Sequence, residues 1–241
     1  MQNNQIDTGA VVLVIFAIVG FIMFLALLLF FGLLIRIAVK RRQYDTKRGA
    51  EMSAIAQQIG FSFKPEAELR DFPILANFEM FEGNVIKLEN LISGNIKGKE
   101  AAIFDCVYRN VSGRGSGSTT SRQTMALIID PRLNLPLFYL RPEGTIEKAL
   151  NFISRMDINI QQRPIFSQKY LLYGHQDLRD ETVIRQAFNR PPLIDYLEQN
   201  QSFCVLANGK HLIVYQSRTL MPSAQIKNWL SFAENFSNLF V

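Results

Sequence analysis

The longest uninterrupted hydrophobic run of the chain lies close to its N-terminus, at residues 10–35. These 26 residues carry no charge and no side-chain hydrogen-bonding group. An α-helix of this length measures about 39 Å, which exceeds the roughly 30 Å hydrocarbon core of a bilayer. A core helix of a soluble protein would show a polar stripe, and this run has none. The pattern therefore predicts a transmembrane helix at residues 10–38.

A cleaved signal peptide is the main alternative for an apolar segment close to an N-terminus. Such a peptide begins with basic residues and has an apolar stretch of about 7–15 residues. Residues 1–9 contain Asp7 and no Lys or Arg, and the apolar run that follows is longer. The run also lacks ionisable side chains and a GxxxG pair, which mark ion paths and helix-dimer contacts. We therefore expect a retained membrane anchor.

Basic residues are concentrated immediately after this run and indicate its orientation. The chain carries a net charge of +5; residues 36–49 alone carry +5, whereas residues 50–241 carry only +1. The basic residues of this segment are Arg36, Lys40, Arg41, Arg42, Lys47 and Arg48. By the positive-inside rule, we expect residues 1–9 outside the cell (inner) membrane and residues 50–241 in the cytoplasm.

The same six basic residues admit a second role, which is contact with anionic lipid headgroups. Such contact stabilises membrane association by about 1 kcal/mol per basic residue near the surface. The alternative is that the cluster serves only as a topology signal. Because the remaining chain is nearly neutral, the basic pI of 9.3 gives no reason to expect nucleic acid as a partner.

Beyond a basic juxtamembrane segment at residues 39–49, stretches of period 2 alternate with stretches of period 3.6. Strands are predicted at residues 61–63, 88–96, 100–109, 122–130, 137–141, 158–161, 170–173, 203–206 and 211–215. Helices are predicted at residues 46–59, 145–156, 180–188, 191–198 and 224–241. Residues 65–81 are expected to be irregular or loosely helical, and residues 111–121 to form a loop. Gly60 should end the first helix, Ser223 should cap the last, and tight turns are expected at residues 97–99 and at Asn208-Gly209.

These elements predict an α+β fold. One N-terminal transmembrane helix precedes a single cytoplasmic domain at residues 50–241, in which helices pack on an antiparallel sheet. The two cysteines, Cys106 and Cys204, fall inside apolar runs about a hundred residues apart. In a reducing cytoplasm we expect them to be buried thiols rather than a disulfide.

Residues that carry chemistry are few and lack a recognised spacing. The loop at 111–121 is rich in Gly and Ser but has no P-loop lysine, so a hairpin loop is expected there. His175, beside Asp177 and Asp180, suggests an acid–base pair or a weak metal site, with a surface histidine as the alternative. His211 carries the same alternatives. The sequence predicts no catalytic residue, no cofactor and no metal ligand.

Four arginines lie on or beside the predicted sheet: Arg109, Arg114, Arg122 and Arg141. They could gather on an anionic ligand, or they could form ion pairs on a solvated sheet face. Two functional hypotheses follow. The first is a non-enzymatic module that binds another protein at the membrane, and the alternative is a small-molecule or anionic-ligand binding domain or an enzyme.

Several short segments also resemble uncharacterised bacterial single-pass membrane-anchored proteins that have a cytoplasmic α+β domain. The segments that carry the resemblance are residues 59–63, 94–96, 104–108, 122–124, 138–143, 170–174 and 212–215. The resemblance implies a transmembrane helix followed by a domain of this size, over about residues 50–240. It implies no catalytic or binding residue.

Overall fold

The computed structural model describes residues 8–72, 75, 85–110, 119–144, 156–158, 160, 163–174, 178–200 and 203–241. The chain divides into two compact units, Met1–Arg48 and Gly49–Val241. The first helix, α1 (Thr8–Ile59), contributes residues to both units. The helix predicted at residues 46–59 is therefore the last part of α1 and not a separate element. It ends where predicted, because Gly60 adopts a left-handed conformation with φ of +73°.

In the first unit, α1 exposes its large hydrophobic side chains. Leu29 is 75% exposed and Ile35 is 63% exposed. Within the described residues, α1 is the one helix that is long and apolar enough to cross a membrane, by length and composition.

The second unit is built on a sheet of nine described strands, all paired antiparallel, in the order β1-β2-β3-β4-β9-β8-β5-β7-β6. The strands are β1 (Ser62–Ala67), β2 (Val85–Ile96), β3 (Lys99–Asn110), β4 (Thr119–Ile129), β5 (Leu135–Pro142), β6 (Met156–Asp157), β7 (Tyr170–Gly174), β8 (Cys204–Gly209) and β9 (His211–Tyr215). The helices are α2 (Pro164–Lys169), α3 (Leu178–Phe188), α4 (Pro191–Gln199) and α5 (Ile226–Asn238), with 3-10 turns at Leu69–Asp71 and Ser223–Gln225.

Helices cover one face of the sheet. Buried residues of α2–α5, together with Met52 and Ala56 near the end of α1, form a single cluster with alternate sheet residues such as Ile103 and Ala126. We call this side the helix-covered face. The intervening residues, such as Phe104, form a second buried cluster on the opposite face, which contains none of the described side chains of these helices. Segregated helices on an antiparallel sheet confirm the predicted α+β class.

Two tight turns connect neighbouring strands. Lys97 and Gly98 join β2 to β3 with φ of 51° and 83°, as a type I′ turn requires. Between β8 and β9, Asn208 pairs with His211, so the turn residues are Gly209 and Lys210. The predicted hairpin is correct, but the turn lies one residue later than the predicted Asn208-Gly209. A glycine with φ of 57° at the first turn position is typical of type II′.

Other boundaries differ from the prediction. β1 continues through Pro65 to Ala67, because an edge strand tolerates a missing backbone donor. β4 begins at Thr119, inside the predicted loop, and α2 was not predicted. The predicted helix at 145–156 lies outside the described residues except for Met156, which begins β6.

Ser223 does not cap α5, in contrast to the prediction. It lies in a 3-10 turn, α5 begins at Ile226, and the Ser223 hydroxyl donates a hydrogen bond to Glu51 Oε2 at 2.6 Å. Because α5 begins three residues after Ser223, its N-cap position is occupied by Gln225 and not by Ser223.

Candidate functional site

A buried carboxylate, Asp105, lies on the helix-covered face between β2 and β4. Asn90 Nδ2 donates to Asp105 Oδ2 at 2.9 Å, and Thr124 Oγ1 donates to Asp105 Oδ1 at 2.7 Å. The Thr124 hydroxyl in turn accepts a hydrogen bond from the backbone N–H of Met221 at 2.9 Å. We call Asn90, Asp105 and Thr124 the Asp105 cluster. It ties three strands to the segment that precedes α5.

A β-bulge positions Asn90 in this cluster. The register of β2 against β3 shifts between Glu89 and Ile92, so β2 contains one residue more than its partner there. Asn90 takes up the extra position with φ of 54°, a conformation that asparagine tolerates better than most residues. The bulge brings its amide to the same face as Asp105.

Glu89, Arg122 and Lys87 form an ion-pair group on the same face. Arg122 Nη2 donates to Glu89 Oε2, and the Lys87 ammonium also contacts the Glu89 carboxylate. Arg109 pairs with Thr120 in the β3–β4 register, which places it on the helix-covered face beside Arg122, and its side chain is exposed.

Arg141, in contrast, lies on the opposite face. Arg141 Nη2 donates to the Tyr173 hydroxyl at 3.0 Å, and its guanidinium lies 5.5 Å from the centre of the Tyr173 ring. Tyr173 stacks on Tyr139, whose hydroxyl accepts a hydrogen bond from Tyr215 at 3.2 Å.

Of the four arginines predicted as anion contacts, the structure brings Arg109 and Arg122 to one face and Arg141 to the other. Arg114 lies outside the described residues. Arg122 pairs with the Glu89 carboxylate, as in the alternative of ion pairs on a sheet face, whereas Arg141 contacts the hydroxyl and the ring of Tyr173.

The most completely buried ionic group surrounds Lys99, which is 3% exposed. Its ammonium donates to Asn238 Oδ1 at 2.7 Å, to Ser237 Oγ at 2.9 Å and to Glu234 Oε1 at 3.1 Å. Asp130 Oδ2 lies 3.4 Å from the same nitrogen. We call these five residues the Lys99 cluster. Three ammonium donors and three close acceptors match, so the buried charge is satisfied.

Two further cations flank the carboxylates of the Lys99 cluster. Lys97 contacts Glu234 at 2.8 Å, and Arg132 makes a bidentate pair with Asp130 at 2.7 and 3.0 Å. Burial alone would raise the pKa of Glu234, but hydrogen bonds from Lys97, Asn238 and Lys99 outweigh it and lower the pKa to about 2. The hydrogen bond from Arg132 likewise lowers the pKa of Asp130. Both carboxylates are therefore ionised at neutral pH, which suits an ion-pair role rather than proton transfer.

Sequence reasoning did not identify the Lys99 cluster. One signal for it exists in the sequence, because Leu230, Glu234 and Ser237 have the i, i+4, i+7 spacing of one helical face. All three are buried in α5. An acidic residue at an apolar-stripe position indicates a buried cation, but it does not indicate which one.

The predicted buried thiols are confirmed for Cys106 and Cys204, which are both free and both 1% exposed. Burial, together with the adjacent Asp105 carboxylate, raises the pKa of Cys106 to about 12. A thiol that stays protonated at neutral pH is a poor nucleophile and a poor metal ligand.

The histidines give no further support for a catalytic centre. Partial burial lowers the pKa of His211 below its usual 6.5, and its Nδ1 lies 3.3 Å from the carbonyl oxygen of Asn208. His175 and Asp177 lie outside the described residues, and Asp180 lies in the first turn of α3. Within the described residues, no three His, Cys, Asp or Glu side chains are grouped as a metal ion would require.

A groove of about 580 Å³ lies at the β1 edge of the sheet. Its lining residues are Lys64, Glu66, Ala67, Glu68, Leu69, Arg70, Asp71, Val85 and Lys87. Three basic and three acidic residues balance one another there, and Arg70 pairs with Glu68 at 2.7 Å. The lining therefore has no net attraction for either a cation or an anion.

The predicted lipid-contact residues all lie on α1, after the apolar run. Arg36, Lys40, Arg42 and Lys47 are exposed, whereas Arg48 is buried and cannot reach a headgroup. The side chain of Arg41 is not among the described ones. Four of the six predicted residues therefore have exposed side chains.

No protein-family model, no curated protein and no solved structure matches this chain. The resemblance to bacterial single-pass membrane-anchored proteins therefore stays a prediction.

Proposed function

We propose that the chain is a membrane-anchored, non-enzymatic module that binds another protein at the cytoplasmic face of the cell membrane. The exposure of the large apolar side chains of α1 is the observation that carries the proposal. Apolar surface in water costs roughly 25 cal/mol per Å², and a hydrocarbon environment removes that cost. Exposed apolar surface of this extent is typical of a membrane contact.

The proposed orientation rests on the charge on either side of the apolar run. Residues 1–9 carry a net charge of −1 and residues 36–49 carry +5, so the positive-inside rule favours a cytoplasmic second unit. A cysteine introduced at Asn4 should react with a membrane-impermeant maleimide in intact cells. A cysteine introduced at Lys227, an exposed position of α5, should react only after permeabilisation. The buried native cysteines keep the background low, and the reverse labelling pattern would disprove the orientation.

A binding role is supported by how the buried polar residues are used. In the Asp105 and Lys99 clusters, the hydrogen bonds and ion pairs run between elements of the fold, which is the pattern of structural networks. The second unit is also nearly neutral, so no strong field favours a charged substrate. These features favour a module that binds a partner on its surface at the membrane over one that carries out chemistry in a buried site.

The binding role is tested by gentle solubilisation of the tagged full chain followed by mass determination and identification of co-purified proteins. The control is the tagged segment 1–48 fused to an unrelated soluble protein, which removes the second unit but keeps the anchor. We expect a partner to be recovered with the full chain alone. A monomeric full chain without a stoichiometric partner would contradict the proposal.

Arg109 favours one second candidate function, which is binding of a small anion. Its side chain is exposed on the helix-covered face, and the structure records no polar partner for it within the described part of the chain. Nucleotides and anionic metabolites should then raise the unfolding temperature of the full chain in detergent. The increase should be lost in Arg109→Gln. Unchanged unfolding temperatures with every anion would eliminate this candidate.

A further inference from the structure

Three basic side chains share one face of α1 directly after the apolar run. At about 100° per residue, Arg36, Lys40 and Lys47 fall within about 40° of one another around the helix axis. All three are exposed. Gln43 and the 53% exposed Tyr44 continue the same stripe, and both are residues that suit a membrane interface. Arg42 is also exposed but lies about 160° around the helix from Lys40.

The apolar run is longer than the hydrocarbon core, and tilting is one way in which a helix removes such a mismatch. A helix of 26 residues measures about 39 Å against a hydrocarbon core of roughly 30 Å. A tilt of about 40° from the bilayer normal removes this mismatch and lies at the upper end of the observed range. A tilted helix turns one face toward the membrane surface and the other away from it.

The height of the stripe above the membrane depends on this tilt. Arg36 and Lys47 are separated by about 16 Å along the axis, whereas the headgroup layer of one leaflet is only about 5–8 Å thick. In an upright helix Lys47 would lie beyond the headgroups. With a tilt of about 40° toward the stripe, the vertical separation falls to about 13 Å, and long lysine side chains can reach back to the headgroups.

We propose that Arg36, Lys40 and Lys47 form a one-sided docking surface for anionic phospholipid headgroups and that this contact sets the direction in which α1 tilts. The inference rests on the membrane anchoring proposed above. Anionic headgroups are the expected partner of this surface because its three side chains are positively charged. The surface also directly follows the apolar run that enters the bilayer, which places it close to the headgroup layer. Among the described side chains of this segment, the other exposed cation is that of Arg42, which faces away from this surface.

The proposal is tested with the full chain reconstituted in phosphatidylcholine bilayers that contain spin-labelled phosphatidylglycerol or spin-labelled phosphatidylcholine. The fraction of motionally restricted lipid gives the relative affinity of the chain for the anionic headgroup. The matched variants are Lys40→Gln and Arg42→Gln, which remove one charge each at nearly the same height on opposite sides of the helix.

We expect the wild-type chain to prefer phosphatidylglycerol over phosphatidylcholine. In Lys40→Gln the relative affinity for phosphatidylglycerol should fall about fivefold, which corresponds to about 1 kcal/mol per basic residue. Arg42→Gln should retain the wild-type preference, and 1 M salt should abolish the preference because the Debye length falls to about 3 Å. Equal losses in the two variants would overturn the one-sided surface. An inserted chain without lipid preference would overturn this inference alone, whereas a chain extracted by carbonate would overturn the proposed anchoring as well.

Discussion

Lys99 places a positive charge inside the second unit, where an unpaired ion would be strongly unfavourable. Its acceptors come from two elements that are far apart in sequence: Asp130 follows β4, and Glu234, Ser237 and Asn238 belong to α5. The cluster therefore holds the last helix against the sheet. The neighbouring Lys97 contacts the same Glu234 but is 68% exposed, so the two lysines form a natural comparison of buried and exposed ion pairs.

We predict that Lys99→Met destabilises the fold by about 3 kcal/mol, because it leaves two buried carboxylates without their central cation. Lys97→Met, the matched control, should cost less than about 1 kcal/mol because the exposed pair is screened by solvent. Thermal unfolding of the full chain in detergent, followed by Trp229 fluorescence, measures both. Equal effects of the two variants would contradict a structural role for the Lys99 cluster.

The acid stability of the chain should depend on the same carboxylates. The pKa of Glu234 is lowered from 4.5 to about 2, so its ion pairs stabilise the folded state above pH 4.5 and lose that contribution as the pH falls toward 2. The lowered pKa of Asp130 acts in the same direction. We predict that the unfolding temperature falls over this range and that Glu234→Gln, although less stable at pH 7, shows a shallower fall.

The control for this pH dependence is Glu100→Gln, which removes a carboxylate from an exposed position of β3. It should leave the slope of unfolding temperature against pH unchanged. A Glu234→Gln variant with the wild-type slope would show that other carboxylates govern acid unfolding.

At the scale of single elements, the β8–β9 hairpin shows how a turn type selects its residues. Among residues 204–215, Gly209, the first turn residue, alone has a positive φ, whereas Asn208 is an ordinary strand residue paired with His211. A two-residue turn at Asn208-Gly209 would instead move each pairing by two positions, so that Leu206 would lie opposite His211 and not opposite Ile213. The observed register places Leu212 with the helix-covered cluster and Ile213 with the opposite one.

We predict that Gly209→Ala destabilises the fold by roughly 1–2 kcal/mol, because an L-residue with a side chain disfavours positive φ. Asn208→Ala should change stability by less than about 0.5 kcal/mol, because its backbone is extended and the structure records no hydrogen bond of its side chain to the described residues. Denaturant unfolding of the two variants distinguishes the observed turn from the Asn208-Gly209 turn that the sequence predicts. In the latter case both variants would lose stability.

At the scale of the whole molecule, the last part of α1 belongs to the core of the second unit. Met52 and Ala56 are fully buried in the helix-covered cluster, and Ile55 and Ile59 pack against it. The unit Gly49–Val241 therefore includes a helical segment that precedes the first strand. The sequence places the start of the cytoplasmic domain at residue 50, and that boundary stays a prediction.

We predict that a chain beginning at Gly49 folds cooperatively and that a chain beginning at Phe61 does not. The shorter chain lacks two fully buried side chains, and truncation of one buried Met side chain alone typically costs about 2–5 kcal/mol. Circular dichroism during thermal unfolding of both chains provides the comparison. Similar transitions in the two chains would show that residues 49–59 are dispensable for the fold.

Local patterns were sufficient for several features of this protein. The apolar run 10–35, the basic residues that follow it, the left-handed Gly60 and the hairpin at Lys97-Gly98 are each determined by a few neighbouring residues. Charge, side-chain periodicity and the steric freedom of glycine act over one or two turns of chain, so they can be read directly from the sequence.

The tertiary structure decided which elements meet. β4 pairs with the distant β9 and not with β5, and the Asp105 and Lys99 clusters join residues up to 139 positions apart. It also separated Arg141 from Arg109 and Arg122 by placing them on opposite faces. Strand partners and buried ion pairs depend on the summed packing of whole faces, and many pairings have similar local patterns. Only the complete set of contacts selects among them.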